Sequence, residues 1–236
     1  MKKNIEFSVI IPVFNEELNI NRLYKEIRRS LFNYQNYEII IIDDCSTDNS
    51  RKIIIDLITG SKTVKYHFNE INLGQSRSIY NGIVKSKTET IVTIDGDGQN
   101  DPADIPKLLE CYFNDNVSLV GGIRQNRKDN FIKIVSSKVA NRVRSFILND
   151  GCPDTGCGLK VFDKKVFLQF IFFNGIHRFL PALFTGFGYK TKFIPVNHRY
   201  RTMGVSKYGV SNRLLKGIFD IIRVRRYLKK IIKKNV

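Results

Sequence analysis

Cysteine is scarce in this chain, and its arrangement excludes two classes of small, cross-linked domain. Four cysteines occur among 236 residues, at positions 45, 111, 152 and 157. Their irregular spacing matches neither a zinc-binding pattern nor a disulfide framework. Cys152 and Cys157 lie close in sequence, but reduced thiols are the better interpretation of both. A hydrophobic core must therefore stabilise the fold, and a chain with 42% apolar residues can supply one.

Long hydrophobic runs are also lacking. No run approaches the roughly 18 consecutive apolar residues that a membrane-spanning helix requires. The N-terminal stretch MKKNIEFSVIIPVFNEE has a basic tip and a short apolar run, as a signal peptide has. Pro12 interrupts that run, however, acidic residues follow at once, and no small-residue cleavage site appears. We therefore expect a first core strand here, and a cytoplasmic protein.

Several catalytic motifs are missing as well. No GxGxxG dinucleotide-binding motif follows a strand, and no Walker A glycine–lysine loop occurs. The HExxH motif of metalloproteases and the GxSxG motif of serine hydrolases are absent too. The three histidines (His67, His177 and His198) are scattered along the chain, so we predict packing or surface roles for them.

Acidic residues are outnumbered by basic ones. The chain has 39 Lys and Arg against 22 Asp and Glu, a formal net charge of +17. Such an excess indicates an anionic partner, either nucleic acid, an acidic membrane surface or a phosphorylated ligand. The C-terminal segment RVRRYLKKIIKKNV is dense in Lys and Arg and has no acid. Because no nucleic-acid-binding motif and no basic–aromatic interleaving occurs, we expect no nucleic-acid partner.

Strand and helix signals alternate through the first half of the chain. Apolar runs over 7–13, 37–42, 64–68 and 91–94 predict strands, with helical spacing of apolar residues between them. This order predicts an α/β fold with a mostly parallel, Rossmann-like sheet flanked by helices. Further signals predict strands over 117–123 and 192–198, a long helix over 131–148 and a basic amphipathic helical segment over 214–232.

The stretch TIVTIDGDGQNDP has the pattern of a metal-binding loop. Asp95, Asp97 and Gln99 follow the apolar run at every second position, separated by Gly96 and Gly98. In an extended backbone these three oxygen-bearing side chains point the same way. Mg²⁺ and Mn²⁺ prefer such ligands and commonly bind one or two carboxylates together with substrate phosphates. An acidic turn that caps the following helix is an equally good reading of the spacing.

Three acid- and amide-rich loops follow predicted strands: PVFNEE, DDCSTD and DGDGQNDP. Ligands of open parallel sheets bind beyond the carboxyl ends of the strands, so we expect these loops to form one site. Basic residues also cluster at 124–138 and 199–207. A solvated face is the usual meaning of such clusters, but guanidinium groups also bind phosphates. A basic surface beside an acidic metal pocket favours a diphosphate substrate.

The motifs occur in a fixed order: PVFNEE, DDCSTDNS, NLGQSRSIYNGI, DGDGQNDP, GGIRQNR, DTGCGLKVF, HRFLPAL and HRYRTMGVSKYG. This set resembles glycosyltransferase family 2, in particular its branch of dolichol-phosphate mannose synthases and bacterial polyprenyl-phosphate glycosyltransferases. The resemblance covers most of the chain, from about residue 7 to residue 210. It implies a GT-A fold over 1–210, followed by a basic amphipathic helix over 211–236.

The resemblance also implies a set of binding residues. Those expected to line the nucleotide pocket, with Asp44 on the base, are Pro12, Phe14, Asn15, Glu16, Asp44, Asn72, Gly74 and Gln75. Those expected around the metal and the donor diphosphate are Asp95, Gly96, Asp97, Gln99, Arg124, Arg201, Ser206 and Lys207. Lys133 and Ser137 match positions that contact the acceptor phosphate. Phe14 stands where tyrosine is commoner, which removes a hydroxyl and leaves the ring.

The implied reaction is an inverting transfer from GDP-mannose or a UDP-sugar to a polyprenyl phosphate, with Mg²⁺ or Mn²⁺ as cofactor. A phosphate monoester is largely ionised at neutral pH, because its second pKa lies near ~6, and needs little help from a base. If the acceptor were instead a sugar or lipid hydroxyl, Asp154 is the best base candidate, although a turn role for it is equally good. A basic binding protein without activity is a further alternative.

Two departures from the family pattern matter. The chain has no tryptophan, which excludes the QxxRW motif of processive polysaccharide synthases. Many relatives carry C-terminal transmembrane helices, whereas this sequence has a basic amphipathic segment there. We predict that this segment lies on an anionic membrane surface, at the inner face of the cytoplasmic membrane.

Overall fold

The computed structural model describes residues 3–61, 63–125, 131–200 and 211–234, of which 131–139, 211–216 and 232–234 are described by their backbone alone. Seven strands alternate with helices along the chain. The strands are β1 (Phe7–Val13), β2 (Tyr37–Asp43), β3 (Val64–Phe68), β4 (Thr90–Thr93), β5 (Leu119–Gln125), β6 (Lys160–Asp163) and β7 (Thr191–Asn197). The α-helices are α1 (Ile20–Ser30), α2 (Ser50–Thr59), α3 (Gln75–Lys85), α4 (Ile105–Asn114), α5 (Phe131–Leu148), α6 (Lys164–Phe167), α7 (Leu180–Gly186) and α8 (Ser211–Lys234).

The strands form one sheet in the order β3-β2-β1-β4-β6-β5-β7. All neighbouring pairs run parallel except those of β6, which lies antiparallel between β4 and β5. The prediction of a mostly parallel sheet flanked by helices is therefore confirmed. The antiparallel direction of β6, in the middle of the sheet, was not predicted.

Helices cover both faces of the sheet, and each face has its own hydrophobic core. Alternate residues of β1 and β2 divide between the two cores: Ile11 and Ile41 belong to one, Ile10 and Ile40 to the other. Because both faces are buried, these strands are continuously apolar rather than alternating. All seven residues of β1 are buried, so the N-terminal apolar run is a central strand, as predicted.

The second core is rich in aromatic rings. Phe162 of β6 packs against Phe167 and Phe184, with ring centroids 5.7 and 6.0 Å away. Helix α8 packs on this layer and contacts α5 and α7. Its own Val224 and Leu228 are buried in this core. The C-terminal segment, predicted to be helical over 214–232, is a single helix, α8. Within the described ranges, no helix is both long and apolar enough to cross a membrane.

Candidate active site at the carboxyl edge of the sheet

The loops after β1 and β2 are hydrogen-bonded to each other. The backbone N–H of Asn15 donates to Ser46 Oγ (2.9 Å), and that of Thr47 donates to Asn15 Oδ1 (2.7 Å). Glu16 N–H likewise donates to Ser50 Oγ (2.8 Å). Asn15 has a φ of 53°, in the left-handed region that asparagine tolerates better than most residues. The first two of the three predicted loops therefore form one rigid unit.

Asp44 connects that unit to the loop before α3. Its buried carboxylate accepts three hydrogen bonds, from Asn69 Nδ2 (2.8 Å), Leu73 N–H (2.9 Å) and Gly74 N–H (2.8 Å). Asn72 Nδ2 donates to the Asp44 carbonyl (3.2 Å). In this arrangement Asp44 shapes the edge of the expected nucleotide pocket. Its predicted contact with the base is not among these bonds and stays a prediction.

Asp95 lies where the third loop leaves β4, and α3 fixes its side chain. Gln75, the first residue of α3, donates from Nε2 to Asp95 Oδ1 (2.7 Å). Burial, followed by the neighbouring Asp97 carboxylate, raises the pKa of Asp95 to about 6. The raised pKa means that a negative charge on Asp95 is unfavourable in this buried position beside Asp97. A bound cation would remove that penalty.

Two glycines leave space for the Asp95 loop. A Cβ on Gly158 would overlap the Asp95 carboxylate, and a Cβ on Gly96 would lie 2.8 Å from the Pro12 carbonyl oxygen. Gly158 stands just before β6, so the antiparallel strand brings DTGCGLKVF against the predicted metal loop. Gly96 and Gly158 are thus explained by close approach, whereas Gly98 has a φ of 72°, in the left-handed region that favours glycine.

Arg124 and Asp154 form a buried ion pair with two parallel hydrogen bonds. Nε and one terminal nitrogen of Arg124 donate to the two carboxylate oxygens, each at 2.8 Å, and Arg124 N–H donates to Oδ2 (3.1 Å). The side chains are only 15% and 7% exposed. Because both oxygens of Asp154 face the guanidinium, this geometry favours a positioning role for Asp154 over the general-base role considered for it.

Several residues of the site were not predicted from sequence. Arg199 holds the metal loop from outside: its N–H donates to the Gln99 carbonyl (2.8 Å), and its guanidinium contacts Glu26 (2.5 Å) and Asp101 (2.6 Å). Asn100 Oδ1 accepts from Asp95 N–H (3.4 Å). The sequence shows Arg199 only as part of the basic cluster at 199–207. The spacing of that cluster does not indicate that Arg199 contacts the metal loop.

His177 packs against the first turn of α3, and packing was one of the two roles predicted for it. Its Nδ1 lies within hydrogen-bonding distance of Ser76 Oγ (2.6 Å), which also accepts from Gly175 N–H (2.8 Å). Burial, Lys160 and Arg178 lower the pKa of His177 to about 3, so the imidazole is neutral. Ser76 adjoins Gln75, so His177 supports the turn of α3 that holds Asp95.

Some predicted site residues lie outside the described part of the structure. Arg201, Ser206 and Lys207 fall in the range 201–210, which is not described. Lys133 and Ser137 lie on α5, within the segment described by its backbone alone. Their roles stay predictions.

The residues present fit a metal ion that is completed by its substrate. Among the described residues, no group of three or more His, Cys, Asp and Glu side chains could hold a metal by itself. The loop instead offers Asp95 and Asp97, with the Gln99 amide two residues further on. Mg²⁺ and Mn²⁺ commonly take one or two carboxylates and complete their shells with phosphate oxygens and water. The donor set therefore suits a diphosphate complex of either ion.

Comparison with known protein families gives a match over most of the sheet. The model of "Glycosyl transferase family 2" matches residues 8–170. The chain is 32% identical over 237 aligned positions to dodecaprenyl-phosphate galacturonate synthase of Rhizobium johnstonii, covering 96% of this chain and 68% of that protein. It is 33% identical to undecaprenyl-phosphate 4-deoxy-4-formamido-L-arabinose transferase of Aeromonas hydrophila, covering 91% of this chain and 66% of that one. The chain thus spans about two thirds of each relative's length.

Solved structures share the fold at lower identity. Glucosyl-3-phosphoglycerate synthase of Mycobacterium tuberculosis, crystallised with Mn²⁺, UDP and glucosyl-3-phosphoglycerate, superposes with a TM-score of 0.68 at 16% identity, covering 94% of this chain and 79% of that one. A mannosyltransferase of Pyrobaculum calidifontis, in complex with GDP-mannose and Mn²⁺, gives 0.68 at 16% identity, covering 94% and 65%. These neighbours are GT-A glycosyltransferases, and the predicted GT-A fold is confirmed.

Proposed function

The chain belongs to glycosyl transferase family 2 and is a glycosyltransferase, and we propose that it transfers a sugar from a nucleotide sugar to a polyprenyl phosphate. One observation carries the proposal: the Asp95–Asp97 pair at the carboxyl edge of the sheet, facing a buried arginine, in a chain about a third identical to polyprenyl-phosphate sugar transferases. The donor nucleotide, UDP or GDP, stays open, as it did from sequence.

The chain's own residues supply most of a donor site. The joined loops of Asn15 and Asp44 form one wall of the proposed nucleotide pocket, and Gln75 holds Asp95 toward the diphosphate. We assign Asp95, Asp97 and Gln99 to a divalent metal, which would neutralise charge on the departing nucleoside diphosphate when bound. Arg124, fixed by Asp154, would face the same phosphates. Arg201, Ser206 and Lys207 are proposed to close over them from the late basic loop.

The proposed acceptor explains why no residue is poised as a base. A phosphate monoester carries its own negative oxygen near neutral pH, so attack on the anomeric carbon with inversion requires no proton transfer. His177 is hydrogen-bonded to Ser76, and Asp154 is paired with Arg124. Lys133 and Ser137, in the N-terminal half of α5, are proposed to bind the acceptor phosphate.

A transfer assay tests the reaction. The protein is incubated with Mn²⁺, undecaprenyl phosphate and radiolabelled UDP- or GDP-sugars, and the products are then extracted into organic solvent. We expect label in the organic phase only when polyprenyl phosphate is present, and none when EDTA replaces Mn²⁺. Label that stays in water-soluble glycan, with none in lipid, would show a hydroxyl acceptor and refute the polyprenyl-phosphate assignment.

We further propose that α5 and α8 lie on an anionic membrane. Between the two helices is a cleft of about 500 Å³ with an apolar floor and a basic rim. The cleft is lined by Val143, Ile147, Ile218, Ile221, Ile222, Arg225, Arg226 and Lys229. Phe146 and Phe219 project beside it, 88% and 70% exposed. Exposed apolar side chains next to basic ones are typical of helices at the surface of acidic membranes.

Vesicle sedimentation tests the membrane surface. We expect the protein to bind vesicles of phosphatidylglycerol and phosphatidylcholine but not vesicles of phosphatidylcholine alone. Replacing both Phe146 and Phe219 with serine should weaken binding by about tenfold or more, because each buried aromatic ring contributes about 1.5–3 kcal/mol. Phe32, which is 76% exposed at the end of α1, provides the control, and Phe32→Ser should bind as wild type. Equal binding to neutral vesicles would contradict the proposal.

A further inference from the structure

Lys160 is a buried cation that interacts electrostatically with the Asp95 carboxylate. It is the first residue of β6 and is only 3% exposed. Its ammonium group donates to the Cys157 carbonyl oxygen. Within the described ranges, no carboxylate forms an ion pair with it, whereas the other buried cations near the sheet, Arg124 and Arg144, each face an aspartate.

Burying a charge is costly, and one hydrogen bond to a carbonyl oxygen recovers only part of that cost. The Asp95 carboxylate offsets a further part, because Lys160 lowers the pKa of Asp95. The charge of Lys160 therefore acts at the loop that is proposed to hold the metal.

The strand pairing also places Lys160 beside that loop. Lys160 pairs with Thr93 of β4; Asp95 follows Thr93 by two residues, and Gly158 precedes Lys160 by two. Side chains two residues apart on a strand share a face, so Lys160 lies on the same side of the sheet as the Asp95 carboxylate. Its charge also acts on Asp95 and His177, lowering the pKa of each.

We propose that Lys160 supplies a fixed positive charge beneath the donor diphosphate and acts as a positioning residue for it. The inference rests on the proposed function, since it requires that the diphosphate lie against Asp95. Arg124 cannot fill this role alone, because Asp154 already neutralises it. The buried ammonium would offset the negative charge that the nucleoside diphosphate brings into the site and that grows as the sugar leaves.

A fixed charge in this place has effects of opposite sign on the two ligands. It repels a divalent cation and attracts a diphosphate. Removing the charge should therefore strengthen metal binding and weaken nucleotide binding. A residue that merely stabilised the turn at Cys157 would weaken both together when replaced.

The experiment compares the wild-type chain with Lys160→Met, Lys160→Gln and Lys160→Arg. The glutamine variant keeps a donor for the Cys157 carbonyl and loses only the charge. Mn²⁺ binding is measured without nucleotide by electron paramagnetic resonance, and UDP and GDP binding by calorimetry at saturating Mn²⁺. We expect both neutral variants to bind Mn²⁺ about three- to tenfold more tightly and the preferred nucleotide about tenfold more weakly. The arginine variant should restore nucleotide affinity.

Thermal unfolding of the metal-free variants supplies the independent readout. The arginine variant should melt close to the wild-type temperature and the methionine variant below it, because removing the cation takes one of the neighbouring positive charges from the buried Asp95 carboxylate. If Lys160→Gln loses Mn²⁺ and nucleotide affinity in parallel, Lys160 is structural and the inference is wrong. If wild type binds neither Mn²⁺ nor either nucleotide, the proposed function fails first, and the role of Lys160 fails with it.

Discussion

Replacing Asp95 with asparagine should stabilise the metal-free protein and at the same time abolish its transferase activity. Asparagine keeps the shape of the side chain and the acceptor for Gln75 Nε2, but it removes one of the two carboxylates proposed to bind the metal. We expect activity to fall on the order of a thousandfold, as when a group that stabilises developing charge is lost. In the absence of metal, the same change removes a carboxylate that the fold holds at an energetic cost.

The stability gain should depend on pH in a defined direction. The pKa of Asp95 is raised to about 6 in the folded protein, against about 3.9 in an unfolded chain. Between these values the folded state binds more protons, so the contribution of Asp95 to stability declines as pH rises through 6. The asparagine variant should therefore exceed wild type by up to about 3 kcal/mol at pH 7.5 and by little at pH 4.

Chemical denaturation in EDTA at the two pH values measures this difference. Asp56→Asn, on the exposed side of α2, provides a matched loss of one carboxylate and should leave both stability and activity unchanged. A destabilised Asp95→Asn protein at pH 7.5 would contradict the raised pKa. Undiminished transfer by this variant would remove Asp95 from the proposed metal site.

Replacing Arg124 with methionine should produce the largest loss of stability among the site variants. The change leaves the Asp154 carboxylate buried without its guanidinium, and breaking a buried pair in this way typically costs about 3–5 kcal/mol. Activity should fall as well, because Arg124 is proposed to face the donor phosphates. Denaturant titration and the transfer assay measure the two effects separately.

A double replacement separates the structural part of this effect from the catalytic part. Arg124→Met combined with Asp154→Asn removes the unpaired charge and keeps an acceptor for Arg124 N–H. We expect it to recover at least half of the lost stability without recovering activity. Lys192 and Asp115 form an exposed ion pair, so Lys192→Met should leave stability nearly unchanged. Recovery of activity in the double variant would show that Arg124 serves only to hold the fold.

The regular part of the fold could be predicted because its signals are local. Strands β1 and β3 and helix α5 have the predicted ends, since each is a periodic or apolar segment bounded by polar residues. Helix α7 was missed, and helix α4 was anticipated only as the helix that an acidic turn after β4 would cap. Helix α7, LPALFTG, is short and mostly buried, so it has no polar face to give a helical period. Helix α4 begins with Ile105-Pro106, directly after the metal loop. The acidic residues of that loop were interpreted as metal ligands, and no bounds were predicted for the helix.

The site was predicted as a collection of loops, but not as a set of contacts. The family resemblance named Gln75, Asp95, Arg124 and Asp154, and the structure adds which of them touch. The bond from Gln75 to Asp95, the pairing of Arg124 with Asp154 and the approach of Gly158 to Asp95 all join residues 20 or more positions apart. Strand order decides such contacts, and no local spacing encodes it. Lys160 and His177 were overlooked for the same reason.

The position of β6 also determines when the sheet can be completed during synthesis. Strand β5 pairs only with β6 and β7 in the described structure, and β4 pairs with β1 and β6. A nascent chain that ends before residue 160 therefore has β1–β4 as one partial sheet with an open apolar edge, and β5 has no strand beside it. Open edges of this kind attract other chains. Once β6 has emerged from the ribosome, it can pair with both β4 and β5 and so join the two parts of the sheet. The same step brings Lys160 and Gly158 to Asp95.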